Sequence, residues 1–161
     1  KRRMADSGVP AGGPAGSSHG PIEAQTPPAP EVAEGLRACL SAHNEACLSR
    51  SRGSASVAWV ARADDGKLVA GLLAEYAWSW LYVQVLWVNA DRRGQGLGRA
   101  LMAAAEDWTR AADGTGLLVE TGAFQAPDFY RRLGFSVFGE VADLPPGSST
   151  YFLLKRLNDG P

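Results

Sequence analysis

The spacing of apolar and polar positions divides the chain into alternating helical and extended stretches. From Glu31 to Cys47, Val32, Leu36, Cys39, Leu40, His43 and Cys47 recur at three- and four-residue steps, which predicts an amphipathic helix. Val57 to Arg62 alternates toward a strand, Asp64-Asp65-Gly66 is a hairpin signal, and Leu68 to Tyr76 is the return strand. A short turn around Trp78-Ser79-Trp80 leads into Leu81 to Val88. That run is almost wholly apolar and rich in aromatic and β-branched residues, as a central strand requires. The helical period returns from Gly96 to Ala112, with Leu97, Leu101, Ala104, Ala105, Trp108 and Ala112 on one face and Asp113-Gly114 as the stop. Leu117 to Thr121 reads as a short strand, Pro127 to Leu133 as a helix, and Phe135 to Glu140 and Thr150 to Arg156 as the last two strands, around a turn at Asp143 to Ser148. Ile22 within Pro21 to Gln25 predicts a further short strand ahead of the proline-rich break at Thr26 to Pro30.

Strand 81–88, the helix after it and strand 117–121 form a βαβ unit, so those two strands run parallel through a right-handed crossover. The three strands before the helix are joined by short turns and run antiparallel. The order describes an α/β sandwich on one mixed sheet, not a doubly wound fold. The folded domain is expected over residues 21–157. Residues 1–20 are Gly, Ala, Ser and Pro with little to bury and read as a disordered tail; residues 158–161 are a C-terminal tail.

Charge narrows the function classes. Of 16 Lys and Arg and 17 Asp and Glu, three bases and one acid fall in the first 20 residues, which leaves 13 basic and 16 acidic positions. A mildly acidic domain without a basic stripe argues against nucleic acid as a partner. No stretch approaches 18 apolar residues and no apolar signal-peptide core is present, so no membrane partner is expected and the cytoplasm is the default location. Cys39, Cys47 and His43 share the apolar face of the first helix, where packing is their expected role. No metal-ligand cluster forms at a workable spacing.

The chemistry concentrates at Leu86 to Leu101, LWVNADRRGQGLGRAL. A strand ends, a glycine-rich turn with Arg92 and Arg93 follows, and a helix begins. Helix starts offer unpartnered N–H groups and a partial positive charge, so the stretch is suited to a phosphate or pyrophosphate. A phosphate-binding P-loop needs Gly-Lys-Ser/Thr, but Gly98 is followed by Arg99 and Ala100; the dinucleotide pattern G-x-G-x-x-G fails at Arg99 as well. What fits is R-x-x-G-x-G from Arg93 to Gly98.

This element resembles the acyl-coenzyme A signature of the GNAT N-acetyltransferase superfamily. Two further features carry the resemblance: Leu86-Trp87-Val88 before the turn, and Ala126-Pro127-Asp128-Phe129-Tyr130 running to Gly134-Phe135, similar to the family's A-x-x-F-Y-x-x-x-G-F. The resemblance implies a GNAT-type α/β fold with a mixed, mostly antiparallel sheet flanked by helices on both faces. It implies acetyl-CoA as co-substrate, held by Leu86, Trp87, Val88, Arg93, Gly94, Gln95, Gly96, Leu97, Gly98 and Arg99. The thioester would sit where strands 81–88 and 117–121 splay apart, with a backbone N–H near Val88 polarising the acetyl carbonyl. Tyr130 matches the family's frequent general acid. Such domains often pair through their sheets, which raises a homodimer as an expectation that no residue here fixes.

An amine must be neutral to attack a thioester, yet a lysine-like amine has a pKa of roughly 10.4, so the site must take its proton. Glu75 and Glu120 are the candidate bases, each also readable as a substrate-positioning carboxylate. A leaving thiolate of pKa about 8.5 can be served by a tyrosine. The acceptor is expected to be a primary amine of a small molecule or of a protein, attacking directly in a ternary complex. The carboxylates and the aromatic residues Trp78, Trp80, Tyr82 and Trp87 suit a cationic ligand. Two positions depart from the family pattern: Gln84 stands where an Asp is frequent, and Ala123 where an Asn is frequent. A non-catalytic acyl-CoA-binding sensor or interaction module is the alternative reading.

Overall fold

The computed structural model describes residues 22–47 and 54–157. The expected tails at 1–20 and 158–161 lie outside them. The described residues fall into two units, one within residues 1–49 and one within 50–161.

The first unit holds helix α1, Pro30–Cys47, which opens with the Val32 and Ala33 N–H groups donating to the Ala29 carbonyl at 3.0 and 3.1 Å. None of its residues is buried, so the packing role expected of Cys39, Cys47 and His43 is not met within this unit. The strand expected at 21–25 is absent from residues 22–25, and Ile22 is 91% exposed. One apolar residue between Pro21 and Glu23 gives a strand nothing to bury.

The second unit is a six-stranded sheet with two helices. Its strands are β1 (Ala55–Arg62), β2 (Leu68–Ala77), β3 (Trp80–Val88), β4 (Gly116–Gly122), β5 (Ser136–Ala142) and β6 (Ser149–Arg156), in the order β1-β2-β3-β4-β6-β5. Only β3 and β4 pair in parallel; every other pair is antiparallel. The turn at Asp64-Asp65-Gly66 forms as expected, with Gly66 at φ 82°. Trp78 and Ser79 make the β2–β3 turn, both at positive φ.

Helix α2, Leu97–Ala111, is the crossover between the parallel strands, and helix α3, Pro127–Arg132, follows β4. The core joins Leu72, Ala74, Leu81, Val83, Leu117, Val119 and Leu153 from one sheet face with Leu101, Met102 and Ala105 from α2 and Tyr130 from α3. The buried stripe of α2 is rotated from the expected one. It takes in Met102, Glu106 and Thr109, and leaves Ala104 half-buried. Glu106 is tolerated there because Lys155 of β6 reaches it at 2.6 Å and Arg110 at 3.3 Å. The Thr109 hydroxyl donates back to the Ala105 carbonyl at 2.7 Å. At the end of the helix, Asp113 rather than Gly114 takes the left-handed conformation, and the Gly114 N–H donates to the Thr109 carbonyl at 2.8 Å. Gly114 lies so close to Thr109 that a side chain has no room.

Candidate active site

The β3 strand ends on a compact turn. Asn89 accepts the Asp91 N–H on its side-chain oxygen at 3.3 Å, and residues Ala90–Arg92 form one short 3-10 turn. The Gln95 amide donates to the Asp91 carbonyl at 3.2 Å, and Arg93 Nε donates to the Val88 carbonyl at 3.2 Å. Gly94 and Gly96 stand at φ 75° and 83°, where a Cβ is costly, and the space a Cβ would enter is open at both. Gly96 caps α2 without a side-chain hydrogen bond, and the first intrahelical bond runs from the Ala100 N–H to the Gly96 carbonyl at 2.9 Å. The N–H groups of Leu97, Gly98 and Arg99 therefore precede the helix's own hydrogen bonding. Open space, unspent amides and a helix dipole together fit a pyrophosphate.

The three glycines do not share one role. A Cβ on Gly98 would meet the Phe129 ring at 3.3 Å and Val88 Cγ2 at 3.8 Å. Gly98 lets α2 pack on α3, while Gly94 and Gly96 give the turn its positive-φ bends and leave open space beside them.

Beside the seat, the sheet opens. β3 and β4 pair from Trp80 opposite Gly116 to Val83 opposite Val119, and no further. Backbone groups alternate in direction along a strand. The Asn89 N–H donates to Val69 of β2, so Val88 and Leu86 turn their N–H and C=O groups to the open side. Trp87, between them, spends its backbone on β2, opposite Gly71. The open edge thus offers Leu86 and Val88 to an extended ligand, with part of Val88's carbonyl capacity taken by Arg93.

The candidate acid and bases lie on opposite faces of the sheet. Tyr130 is buried in the core, with ring centroids 5.1 Å from Phe129 and 5.8 Å from Phe135, and burial pushes its pKa up to about 12. Glu75 stands opposite Tyr82 on β3, and Tyr82 opposite Leu118 on β4, so Glu75, Tyr82, Leu118 and Glu120 share the other face. Both glutamates are exposed. They are two strands apart, about 10 Å across the sheet. Glu120 stands opposite Phe152 of β6.

Two further side chains join the site, Gln84, noted above only for replacing a frequent Asp, and Gln125, which the sequence did not single out. The Gln84 amide donates to Glu75 Oε2 at 3.2 Å. Gln125 Oε1 accepts from the Gly122 N–H at 2.8 Å and the Thr121 hydroxyl at 3.1 Å, fixing the turn between β4 and α3. Gln125 sits two residues beyond Ala123, the position noted for its missing Asn, and only the fold shows that its side chain folds back on the strand end.

The family model described as "Acetyltransferase (GNAT) family" matches residues 23–135. A blasticidin-S acetyltransferase of Streptomyces morookaense is 44% identical over 95 residues, 58% of this chain and 70% of that protein. Among solved structures, an acetyltransferase from Bacillus cereus superposes with a TM-score of 0.77 at 26% identity, covering 84% of this chain and 96% of that one. An aminoglycoside 6'-N-acetyltransferase complexed with coenzyme A shares the fold, with a TM-score of 0.57 at 18% identity over 66% of this chain and 75% of its own. The glycine-rich turn at the start of α2, the open β3 edge and these similarities agree: the chain belongs to the GNAT family of acetyltransferases, which use acetyl-CoA as the acetyl donor.

Proposed function

We propose that this enzyme acetylates a primary amine by direct attack in a ternary complex, with the roles set by the two faces of the opened sheet. The observation that carries the reading is the parting of β3 from β4 after Val83 and Val119, beside an uncapped helix start. Acetyl-CoA supplies an activated thioester. The amides from Gly94 to Arg99 and the Arg93 guanidinium hold its pyrophosphate, and Leu86 and Val88 pair with its pantetheine arm as a strand would. The Val88 N–H donates to the acetyl oxygen as negative charge develops there.

The amine enters from the face of Glu75 and Glu120, which take its proton directly or through water as the N–C bond forms. The C–S bond breaks toward the other face, where Tyr130 stands. A tyrosine held near 12 is a weaker acid than a thiol of about 8.5, so full transfer to the thiolate is uphill. Tyr130 therefore acts first as a hydrogen-bond donor that stabilises the departing sulfur. The raised pKa keeps that proton in place throughout the neutral range.

The similarity to a blasticidin-S acetyltransferase makes a small amine-bearing antibiotic the first acceptor class to test, ahead of a protein amine. A cytoplasmic location and pairing as a homodimer belong to the same proposal, checked by cell fractionation and light scattering. The decisive assay is amine-dependent thiol release from acetyl-CoA, with blasticidin S, an aminoglycoside and spermidine as acceptors. Release that saturates with one of them supports the proposal. Tight acetyl-CoA binding with no acceleration by any amine overturns it.

A further inference from the structure

The β2–β3 ladder carries an irregularity at the point where β3 leaves β4. Ala74 stands opposite Val83 and Leu73 opposite Val85, so Gln84 is an extra residue with no partner across the ladder. This is a β-bulge, a device that bends a strand and re-aims a side chain. It lies one residue beyond Val83, the last residue of β3 paired with β4. The bulged side chain reaches back over β2 and donates from Nε2 to Glu75 Oε2 at 3.2 Å.

The chemistry of that contact fixes its direction. An ionised carboxylate only accepts, so the amide must present its nitrogen to Glu75 and its oxygen elsewhere. Gln84 Oε1 and Glu75 Oε1 then have no hydrogen-bond partner among the described residues. The joined pair thus keeps two acceptor oxygens, one on a neutral amide and one on a charged carboxylate, beside the residue where β3 leaves β4. A single ammonium group has donors for both and a charge that matches the one carboxylate.

We propose that Gln84 is a specificity-determining residue: it positions Glu75 and supplies the second acceptor of a subsite for one protonated amine. This deepens the proposed amine transfer and rests on it. Gln84 does not take the proton; it holds the carboxylate on β2 that receives the amine. Selection follows from geometry: a primary amine can donate to both oxygens at once and still turn toward the thioester, whereas a tertiary amine has one donor and loses the second contact.

The test is calorimetric titration of blasticidin S and of spermidine into protein saturated with coenzyme A. It uses wild type, Gln84→Met, Glu75→Gln and the double variant. Gln84→Met keeps length and removes both hydrogen-bonding atoms at an exposed position, and coenzyme A titration with thermal melting checks that each variant is folded. Each single substitution is expected to weaken amine binding about tenfold, the double variant no more than either alone, and coenzyme A affinity to stay constant. Wild-type amine affinity in Gln84→Met, strictly additive losses in the double variant, or no amine binding by wild type overturns the proposal. Amine binding that depends on Gln84 without any turnover leaves the subsite standing and sinks the transfer reading instead.

Discussion

Gly96→Ala and Gly98→Ala separate the two roles of the glycine turn. Gly96 stands at φ 83° with open space where a Cβ would go, while Gly98 lies in α2 with Phe129 at 3.3 Å. Alanine at 96 forces a left-handed conformation, at a cost of about 1 kcal/mol, which lowers the melting temperature by about 2–4 °C. Its methyl group also projects into the open space that the phosphates need. Losing one charge-assisted amide bond, worth about 1.5–3 kcal/mol, raises the acetyl-CoA Kd by about 10- to 100-fold. Alanine at 98 gains up to about 1 kcal/mol of helix propensity and loses a similar amount against Phe129. Its methyl group points into the protein, so acetyl-CoA affinity stays within about twofold of wild type. Calorimetry with acetyl-CoA and thermal melting of both variants make the measurement. The opposite pattern, with Gly98→Ala losing affinity and Gly96→Ala keeping it, refutes the placing of the anion at the positive-φ glycines.

Tyr130→Phe is expected to lower turnover about 100-fold with acetyl-CoA affinity unchanged, read by thiol release and calorimetry. The same variant tests the buried hydroxyl. A folded-state pKa raised from 10 to about 12 contributes stability that is complete below pH 10 and is lost as pH rises toward 12, about 3 kcal/mol in all. Urea unfolding at pH 9 and 11.5 should show this loss in wild type and a smaller one in Tyr130→Phe; equal losses count against it. Lys155→Met leaves the nearly buried Glu106 with Arg110 alone, whose own side chain is 45% exposed. It should cost about 3 kcal/mol in urea unfolding at pH 7, and Glu106→Leu with Lys155→Met should recover most of it.

From α1 onward the element order was legible because it rests on local periods: alternation for β1, a continuous apolar run for β3, a helical step for α2. The strand–turn–helix junction was legible because glycines at a strand end followed by a helical period mark such a turn, and it is there that the anion seat is proposed. What stayed hidden depends on pairing between distant residues. Glu106 lies outside the apolar stripe expected for α2, and its burial depends on Lys155, 49 positions away. Glu75 and Gln84 were read separately, because the bulge that joins them belongs to the register of two strands and to neither alone. The helix stop fell to Asp113 because Gly114 is pressed against Thr109, a packing fact that a turn propensity does not contain.

The site lies where it does because β3 and β4 are the one parallel pair. Parallel neighbours need a crossover, so α2 starts just past the end of β3, and α3 starts past the same end of β4. Two helix starts and two strand ends collect at one edge. For a ligand to enter the sheet there, the two strands must also part, and the bulge at Gln84 stands one residue past Val83, placed to bend β3 away from β4. This predicts the effect of deleting Gln84. Val83 and Val85 would become neighbours opposite Ala74 and Leu73, with the alternation of faces intact on both strands. The core residues of β3 keep their side of the sheet, so the fold should survive with its melting temperature within a few degrees of wild type, on the order of 1 kcal/mol. The ladder between β3 and β4 is then free to continue past Val83 and Val119, closing the edge that Leu86 and Val88 present. Acetyl-CoA affinity should fall more than about 100-fold although every residue of the glycine seat remains. A deletion variant that melts like wild type and binds acetyl-CoA like wild type would show that the strands part without the bulge.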